Sequence, residues 1–400
     1  MADHHVDAPT IWNNADPNIL CILQNRLLNG SRLRRAAFAL LMPTWVILLF
    51  VLRVKTRPIR SVIPLIVFLS WILWETSSIT WSKNTNLSVR RVTPWLITCI
   101  TGCVTGVLLG VTGSVVTIFC MCLLFLLAGI GNECLQGSFF QRRGYRFAGT
   151  LHPNQQALNC AVLALLTCQM SAMGAIPLAV TMVCMTAVCA GTAVARSRTG
   201  LWSAAAAAAW WALWAWVHSY KCWPGGVALG VILSSMPASA VTSQFSVGSR
   251  APHKWSNMLS SQLMSLGRST RTLRTLTGRL GLWKLVLGAT RDVRTAGVGF
   301  GAFWSSAQVA EINGVTGWRF ADCHSAYVET ATRSGLIGLG LLIAMVATGV
   351  IVPLSSAGAA GPFLSSFFVL VAIHAIFEST FVVPNFASLS ACILIGCACT

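Results

Sequence analysis

Charged residues are scarce in this chain, and acidic residues are the scarcest. Only 10% of the 400 residues are charged, whereas a soluble globular domain carries about 25%. Ten residues are Asp or Glu, against 28 Lys plus Arg, so the formal net charge is +18. The long polar loop at about residues 240–333 shows no pair of acids typical of a glycoside hydrolase. Acid pairs suited to a metal ion are missing as well.

Lysine is also rare, because only five of the basic residues are Lys and the rest are Arg. Arginine recognises phosphate in a planar, bidentate manner that lysine cannot reproduce. Most of the basic residues flank apolar runs, which favours membrane lipids and lipid-linked phosphates as partners. We expect no nucleic-acid partner.

The 15 cysteines show no zinc-type spacing with histidine. Most of them lie inside apolar runs, where cysteine acts as a small packing residue. The sequence therefore predicts neither a disulfide scaffold nor a metal site, and we expect no cofactor.

Long apolar runs dominate the chain, with 55% hydrophobic residues and a mean hydropathy of +0.70. Runs of about 18 or more apolar residues are typical of transmembrane helices. The sequence predicts an all-α, polytopic integral membrane protein with about 11 (roughly 10–12) transmembrane helices. The predicted spans are 36–52, 61–76, 94–111, 113–130, 156–174, 175–195, 200–217, 223–240, 334–353, 361–379 and 382–398.

One long polar loop, at about residues 240–333, separates the eighth span from the ninth. We divide the chain into an N-terminal segment with the first transmembrane helix (1–60) and one membrane domain (61–400). Counting spans places the segments 77–93, 131–155 and 196–199 on the same side as the long loop. The short basic groups give conflicting orientations, so the positive-inside rule does not identify that side.

Two motifs precede helices on this side. The first runs from Arg146 to His152-Pro153-Asn154, and Pro and Asn by themselves predict a helix start. The second is Ser197-Arg198-Thr199, between two spans. Arg198 could simply reach towards lipid headgroups, or it could form an anion site beside a helix N-terminus.

Two further motifs lie in the long loop. Gly278-Arg279-Leu280 falls in a stretch with leucines near helical spacing, which predicts an amphipathic helix, and the later Gly297 and Gly299 are a weak phosphate signal. His324 to Glu329 is followed by Gly335 and Gly338 at the start of a span. A lone histidine in a loop is usually solvated, but it can also serve as a base near neutral pH.

The order and spacing of the four motifs resemble the O-antigen ligase and polymerase family. The resemblance covers most of residues 61–400 and includes Glu378-Ser379 before the last span. Ser325 departs from the family pattern, where Asn is frequent.

This resemblance implies a metal-independent membrane glycosyltransferase of cell-surface polysaccharide biosynthesis, including lipopolysaccharide. The donor would be an undecaprenyl-diphosphate-linked glycan, and the acceptor a hydroxyl of a lipid, saccharide or protein. Arg198, Arg279 and Arg146 would bind the diphosphate, His324 would be the catalytic base, and Glu329 would orient it. The protein would lie in the inner (cytoplasmic) membrane, with its active site on the periplasmic face. Ligase and polymerase share these motifs, so both remain open.

A transporter or flippase of a lipid-linked anionic substrate is the alternative function. Such a protein also needs apolar helices and arginines, but it places ionisable residues at a central site within the spans. Only Glu75, His374 and Glu378 approach such a position, and all three lie near span ends. A structural membrane subunit would leave the motif pattern unexplained.

Overall fold

The computed structural model describes residues 61–137, 145–217, 279–316, 321–355 and 360–399, together with Leu40 and Ile47. Helices make up most of these residues, and no strand occurs among them. The predicted spans 223–240 and, but for two residues, 36–52 lie outside the described residues, as does the first part of the long loop, to Gly278.

Ten α-helices occur in this part of the chain, and two short 3₁₀ turns follow α6 and α8. The α-helices are α1 (Ile63–Ser77), α2 (Thr85–Leu135), α3 (Pro153–Ala172), α4 (Leu178–Ala195), α5 (Arg198–Val217), α6 (Arg279–Ala289), α7 (Ser306–Thr316), α8 (Ala326–Ile351), α9 (Ala360–Phe377) and α10 (Phe386–Ala398).

Three of the described helices are long and apolar enough to cross a membrane. They are Thr85–Leu135, Ala326–Ser355 and Ala360–Phe377. Each predicted span within the described residues coincides with one of the ten helices or with half of α2. The helical fold and the presence of helices apolar enough to cross a membrane are therefore confirmed for the described residues, whereas the total of about 11 spans stays a prediction.

Helix α2 folds back on itself at Gly110. A straight helix of 51 residues would be about 77 Å long, yet both halves of α2 contact the short helix α10. The Cys397 thiol donates to the carbonyls of Gly106 and Gly110, whereas the Phe125 ring packs against Phe386 at the other end of α10. Gly110 has a φ of 60°, which glycine adopts readily. This is the tight turn expected between the spans 94–111 and 113–130.

The loop segments that the span count places on one side meet in the structure. The Lys83 amide donates to the Val298 carbonyl, and the Arg146 side chain donates to the Ala195 carbonyl. The Asn154 amide reaches Glu378, just beyond the end of α9. The connection between α9 and α10 therefore belongs to the same end of the molecule as the long loop.

The glycine-rich segment 297–301 packs the long loop onto the membrane helices. A Cβ atom at Gly299, which has a φ of 101°, would lie 2.5 Å from the Cβ of Ser82. The Arg91 guanidinium donates to the carbonyls of Gly301 and Trp304. These contacts explain Gly299 as a close-packing residue and give no support to a phosphate-binding turn.

A buried ion pair joins α1 to α8. Nε of Arg333 and Oε2 of Glu75 lie 2.8 Å apart, and the two side chains are 2% and 0% exposed, respectively. The Arg333 guanidinium also stacks on Phe300, and the Ser334 hydroxyl donates to Glu75 at 2.7 Å. Because Glu75 is engaged by its own protein partners, it anchors the loop end of the bundle and does not form an open ion site.

Candidate functional site

Glu378 is the centre of a polar network at the loop end of the molecule. Its Oε1 atom accepts hydrogen bonds from the Asn154 side chain at 2.6 Å and from Arg279 Nη2 at 2.9 Å. Arg279 Nη1 also donates to the carbonyl of Phe377, the last residue of α9. One carboxylate thus connects the first turn of α3, the start of α6 and the end of α9.

The Glu378 carboxyl is ionised at neutral pH. Burial alone would raise its pKa, but the charge of Arg279, followed by His374 and the Asn154 hydrogen bond, outweighs that effect and lowers the pKa below its usual range. The side chains of Arg279 and Glu378 are only 13% and 8% exposed. The pair is therefore weakly screened by solvent and fixes the direction of the guanidinium.

Arg146 joins the same network through Asn154. Its Nε donates to the backbone carbonyl of Ala195 at 3.1 Å. Its Nη2 donates to Oδ1 of the Asn154 side chain at 2.8 Å. The Asn154 amide therefore points its oxygen at Arg146 and its nitrogen at Glu378, the only orientation that suits both partners. Arg146, Asn154, Glu378 and Arg279 form a continuous chain, which we call the arginine network.

Glu133, near the C-terminal end of α2, positions the segment that carries Arg146. Its carboxylate accepts the backbone amides of Ala148 at 3.0 Å and Gly149 at 2.6 Å, and it accepts the Tyr145 hydroxyl. Burial, and then the neighbouring carboxylate, raise the pKa of Tyr145, so the phenol remains a donor. Sequence reasoning missed Glu133, although an acid at the end of an apolar helix is an unusual residue.

His324 lies beside this network in a strained turn. Its φ is 48°, an uncommon value for a residue other than glycine, and such strain is concentrated at functional sites. Asp322 Oδ1 accepts the His324 backbone amide at 2.6 Å and lies 3.4 Å from the ring atom Nδ1. The same oxygen accepts the Ser379 hydroxyl at 3.0 Å. Asp322 therefore ties His324 to the residue that follows Glu378.

Glu329 does not face the imidazole of His324. Its carboxylate accepts Trp304 Nε1 at 2.9 Å and the Cys323 backbone amide at 3.1 Å. Asp322 lies beside the ring instead, in the position expected for Glu329. Asp322 was not among the predicted site residues. Glu329 instead holds the backbone amide of Cys323, the residue before His324.

Removing the Glu329 carboxylate should therefore lower the stability of the loop more than the rate of the glycan transfer that the resemblance implies. In Glu329→Ala the Trp304 and Cys323 donors lose their acceptor, which costs about 1–3 kcal/mol per unsatisfied buried donor. We expect a lower Tm in detergent and a nearly normal rate of glycan transfer per folded molecule. Glu311→Ala, an exposed acid on α7, is the control and should leave Tm unchanged.

Ser325 caps helix α8, and this role accounts for its departure from the family pattern. Its hydroxyl accepts the Val328 backbone amide, and its backbone is extended as an N-cap requires. Asn and Ser are both favoured at this position. The substitution therefore preserves the local structure that presents His324.

Helix N-termini converge around the arginine network. The first turn of α3 supplies Asn154, and the first amide of α8, at Ala326, donates to the Glu378 carbonyl at 3.1 Å. Helix α5 begins at Arg198, and a Cβ atom at its Gly200 would lie 2.7 Å from Ala157 of α3. Helix N-termini carry partial positive charge, so this end of the molecule is suited to an anion. Arg198 stands at the neighbouring helix start, whereas Arg146 and Arg279 lie within the network itself.

Comparison with protein-family models finds a match to part of the chain. Residues 180–343 match the family described as O-antigen ligase, a range that includes Arg198, Arg279, His324 and Glu329. Arg146 and Glu378 fall outside the matched range but contact it through the arginine network. No curated protein matches the chain. The matched segment confirms the resemblance seen in the motifs and supports the assignment of this chain to the O-antigen ligase and polymerase family.

Proposed function

We propose that this protein is a membrane glycosyltransferase that moves a polyprenyl-diphosphate-linked glycan onto an acceptor hydroxyl. The observation that carries the proposal is the arginine network beside His324, at the end where the helix N-termini meet. The family match supports an O-antigen ligase or polymerase type of function in polysaccharide biosynthesis.

Arg279 and Arg146 bind the lipid diphosphate in this proposal. The contacts of Arg279 with Phe377 and Glu378 use two N–H groups of a guanidinium that has five. The remaining donors can meet phosphate oxygens without a change in side-chain direction, because Glu378 already fixes the group. Positive charge held in place before the reaction stabilises the departing diphosphate at little reorganisation cost. Arg198 adds a third cation from the N-terminus of α5.

His324 is the base that activates the acceptor. The Asp322 carboxylate near Nδ1 favours the tautomer with its proton on Nδ1, in which Nε2 is the nitrogen that can take a proton from a hydroxyl. The side chain is 35% exposed, so an acceptor can reach it. The hydroxyl proton passes to Nε2 and its oxygen bonds to the anomeric carbon. The bond from that carbon to the diphosphate breaks as the new bond forms, and the diphosphate leaves with the electron pair.

The resemblance supports the remaining details of the proposal. The donor lipid is undecaprenyl diphosphate, the site faces the periplasm from the inner membrane, and the acceptor is a lipid, saccharide or protein hydroxyl. Membrane lipids surround the apolar helices. The fixed arginines provide the charge neutralisation for which other transferases use a metal ion.

The envelope glycans of a deletion strain test this function. Complementation with the unaltered gene should restore long glycans, and complementation with His324→Ala should not. Polymerised lipid-linked glycan that accumulates without its acceptor identifies a ligase, whereas accumulated single repeat units identify a polymerase. Long glycans that persist in the deletion strain would contradict the proposal.

A further inference from the structure

His152 uses one ring nitrogen to cap helix α3. Its Nδ1 atom accepts the backbone amide of Asn154 at 3.3 Å, and its backbone is extended, as at other N-caps. A nitrogen that accepts a hydrogen bond carries no proton. The neutral ring must therefore carry its proton on Nε2, which makes Nε2 a donor.

The arginine network lies close to His152 in the structure. His152 is two residues from Asn154, whose amide contacts both Arg146 and Glu378. Partial desolvation lowers the pKa of His152; Glu378 opposes this effect, whereas Arg146, His324 and Arg279 reinforce it. The ring is therefore neutral at neutral pH and keeps the Nε2 proton as a hydrogen-bond donor.

We propose that His152 is a further substrate-contacting residue, whose Nε2–H donates a hydrogen bond to a phosphate oxygen of the lipid diphosphate. This inference rests on the proposed function and adds a residue to its binding site. The two histidines then have complementary roles. His324 offers a lone pair to the acceptor hydroxyl, whereas His152 offers a proton donor to the leaving group and transfers no proton itself.

Two substitutions separate this role from that of a helix cap. Asparagine places an oxygen near the position of Nδ1, so His152→Asn keeps the cap but removes the donor at Nε2. Glutamine reaches the position of Nε2 with its amide nitrogen, so His152→Gln keeps a donor but loses the cap. A phosphate-donor role and a helix-cap role therefore predict opposite orders of diphosphate affinity for the two variants.

The experiment is a titration of the full chain, purified in nanodiscs, with farnesyl diphosphate as a short polyprenyl diphosphate. Binding is followed by intrinsic tryptophan fluorescence. His152→Asn should weaken binding at least about tenfold, the value of one hydrogen bond to a charged acceptor, and His152→Gln should stay within about threefold of the unaltered protein. Asn84→Gln is the matched control, because it removes the equivalent side-chain cap of α2 and should leave affinity unchanged.

The reverse order overturns the proposal. If His152→Asn binds normally while His152→Gln binds weakly with a lowered Tm, His152 is a cap only and the proposed function still stands. If farnesol, which has no phosphate, shows the same loss in His152→Asn, the donor does not act on the diphosphate. If the unaltered protein shows no saturable binding of farnesyl diphosphate, both this inference and the proposed function fail.

Discussion

Replacing Arg279 by Ala should lower the rate of glycan transfer about 100- to 1,000-fold, the usual effect of losing one fixed donor to a developing negative charge. The guanidinium lies at the junction of α3, α6 and α9, where its Nη2 atom is 2.9 Å from Oε1 of Glu378. Arg279→Lys should retain only part of the activity, because a lysine cannot keep both the Glu378 contact and a bidentate phosphate contact. Single-turnover release of undecaprenyl diphosphate measures the effect.

Two variants exclude trivial causes of this loss. Arg291→Ala removes an equal charge from the exposed turn after α6 and should change the rate less than about twofold. Arg279→Ala leaves Glu378 buried without its cation, so the double variant Arg279→Ala with Glu378→Gln should recover thermal stability while the rate stays low. A double variant with normal activity would show that Arg279 only neutralises Glu378.

Replacing His324 by Ala should lower the transfer rate about 100- to 10,000-fold while donor binding is retained, as expected for a lost general base. The histidine stands in a strained turn with Asp322 beside Nδ1, an arrangement that in the proposed mechanism orients the ring towards an incoming hydroxyl. Added imidazole should restore part of the rate, because a small base can enter the vacated space. The measurement is the single-turnover rate at saturating donor.

Asp322→Asn is the companion variant, since it keeps the size of the side chain and removes its charge. We expect it to slow the reaction less than His324→Ala does, because the ring remains. Loss of donor affinity in His324→Ala, with a normal rate at saturation, would make His324 a binding residue. A normal rate and normal affinity in that variant would remove His324 from the mechanism.

Much of the fold could be predicted because membrane helices are apolar and continuous. Helices α3, α4 and α5 follow from their apolar runs, and the fold-back of α2 follows from glycine between two such runs. The ion pair of Glu75 and Arg333 could not be predicted, because its partners lie on helices far apart in sequence and have no local pattern in common. The close packing of Gly299 against Ser82 is hidden for the same reason.

The candidate site was predictable only where a motif was local. Arg146, Arg279 and His324 each belong to a short motif, and the structure brings them to one end of the molecule. The central role of Glu378 depends on contacts with α3 and α6 that spacing does not reveal.

The orienting role expected of Glu329 was implied by the family resemblance, in which a Glu follows the His in the same motif. His324 precedes α8 and has a φ of 48°, so the two side chains do not share a helix face. Asp322, two residues before His324, reaches its backbone amide in a turn instead. The motif alone therefore does not reveal that Asp322 lies beside the ring.

In the proposed function, the arginine network and His324 cleave the bond between a glycan and its lipid diphosphate. The most direct test incubates the purified full chain in liposomes with a synthetic undecaprenyl-diphosphate-linked glycan and a hydroxyl acceptor, without added nucleotide. We expect equal amounts of free undecaprenyl diphosphate and glycosylated acceptor, and neither product with His324→Ala. Donor that crosses the bilayer intact, with no diphosphate released, would contradict the proposed function and identify a transporter.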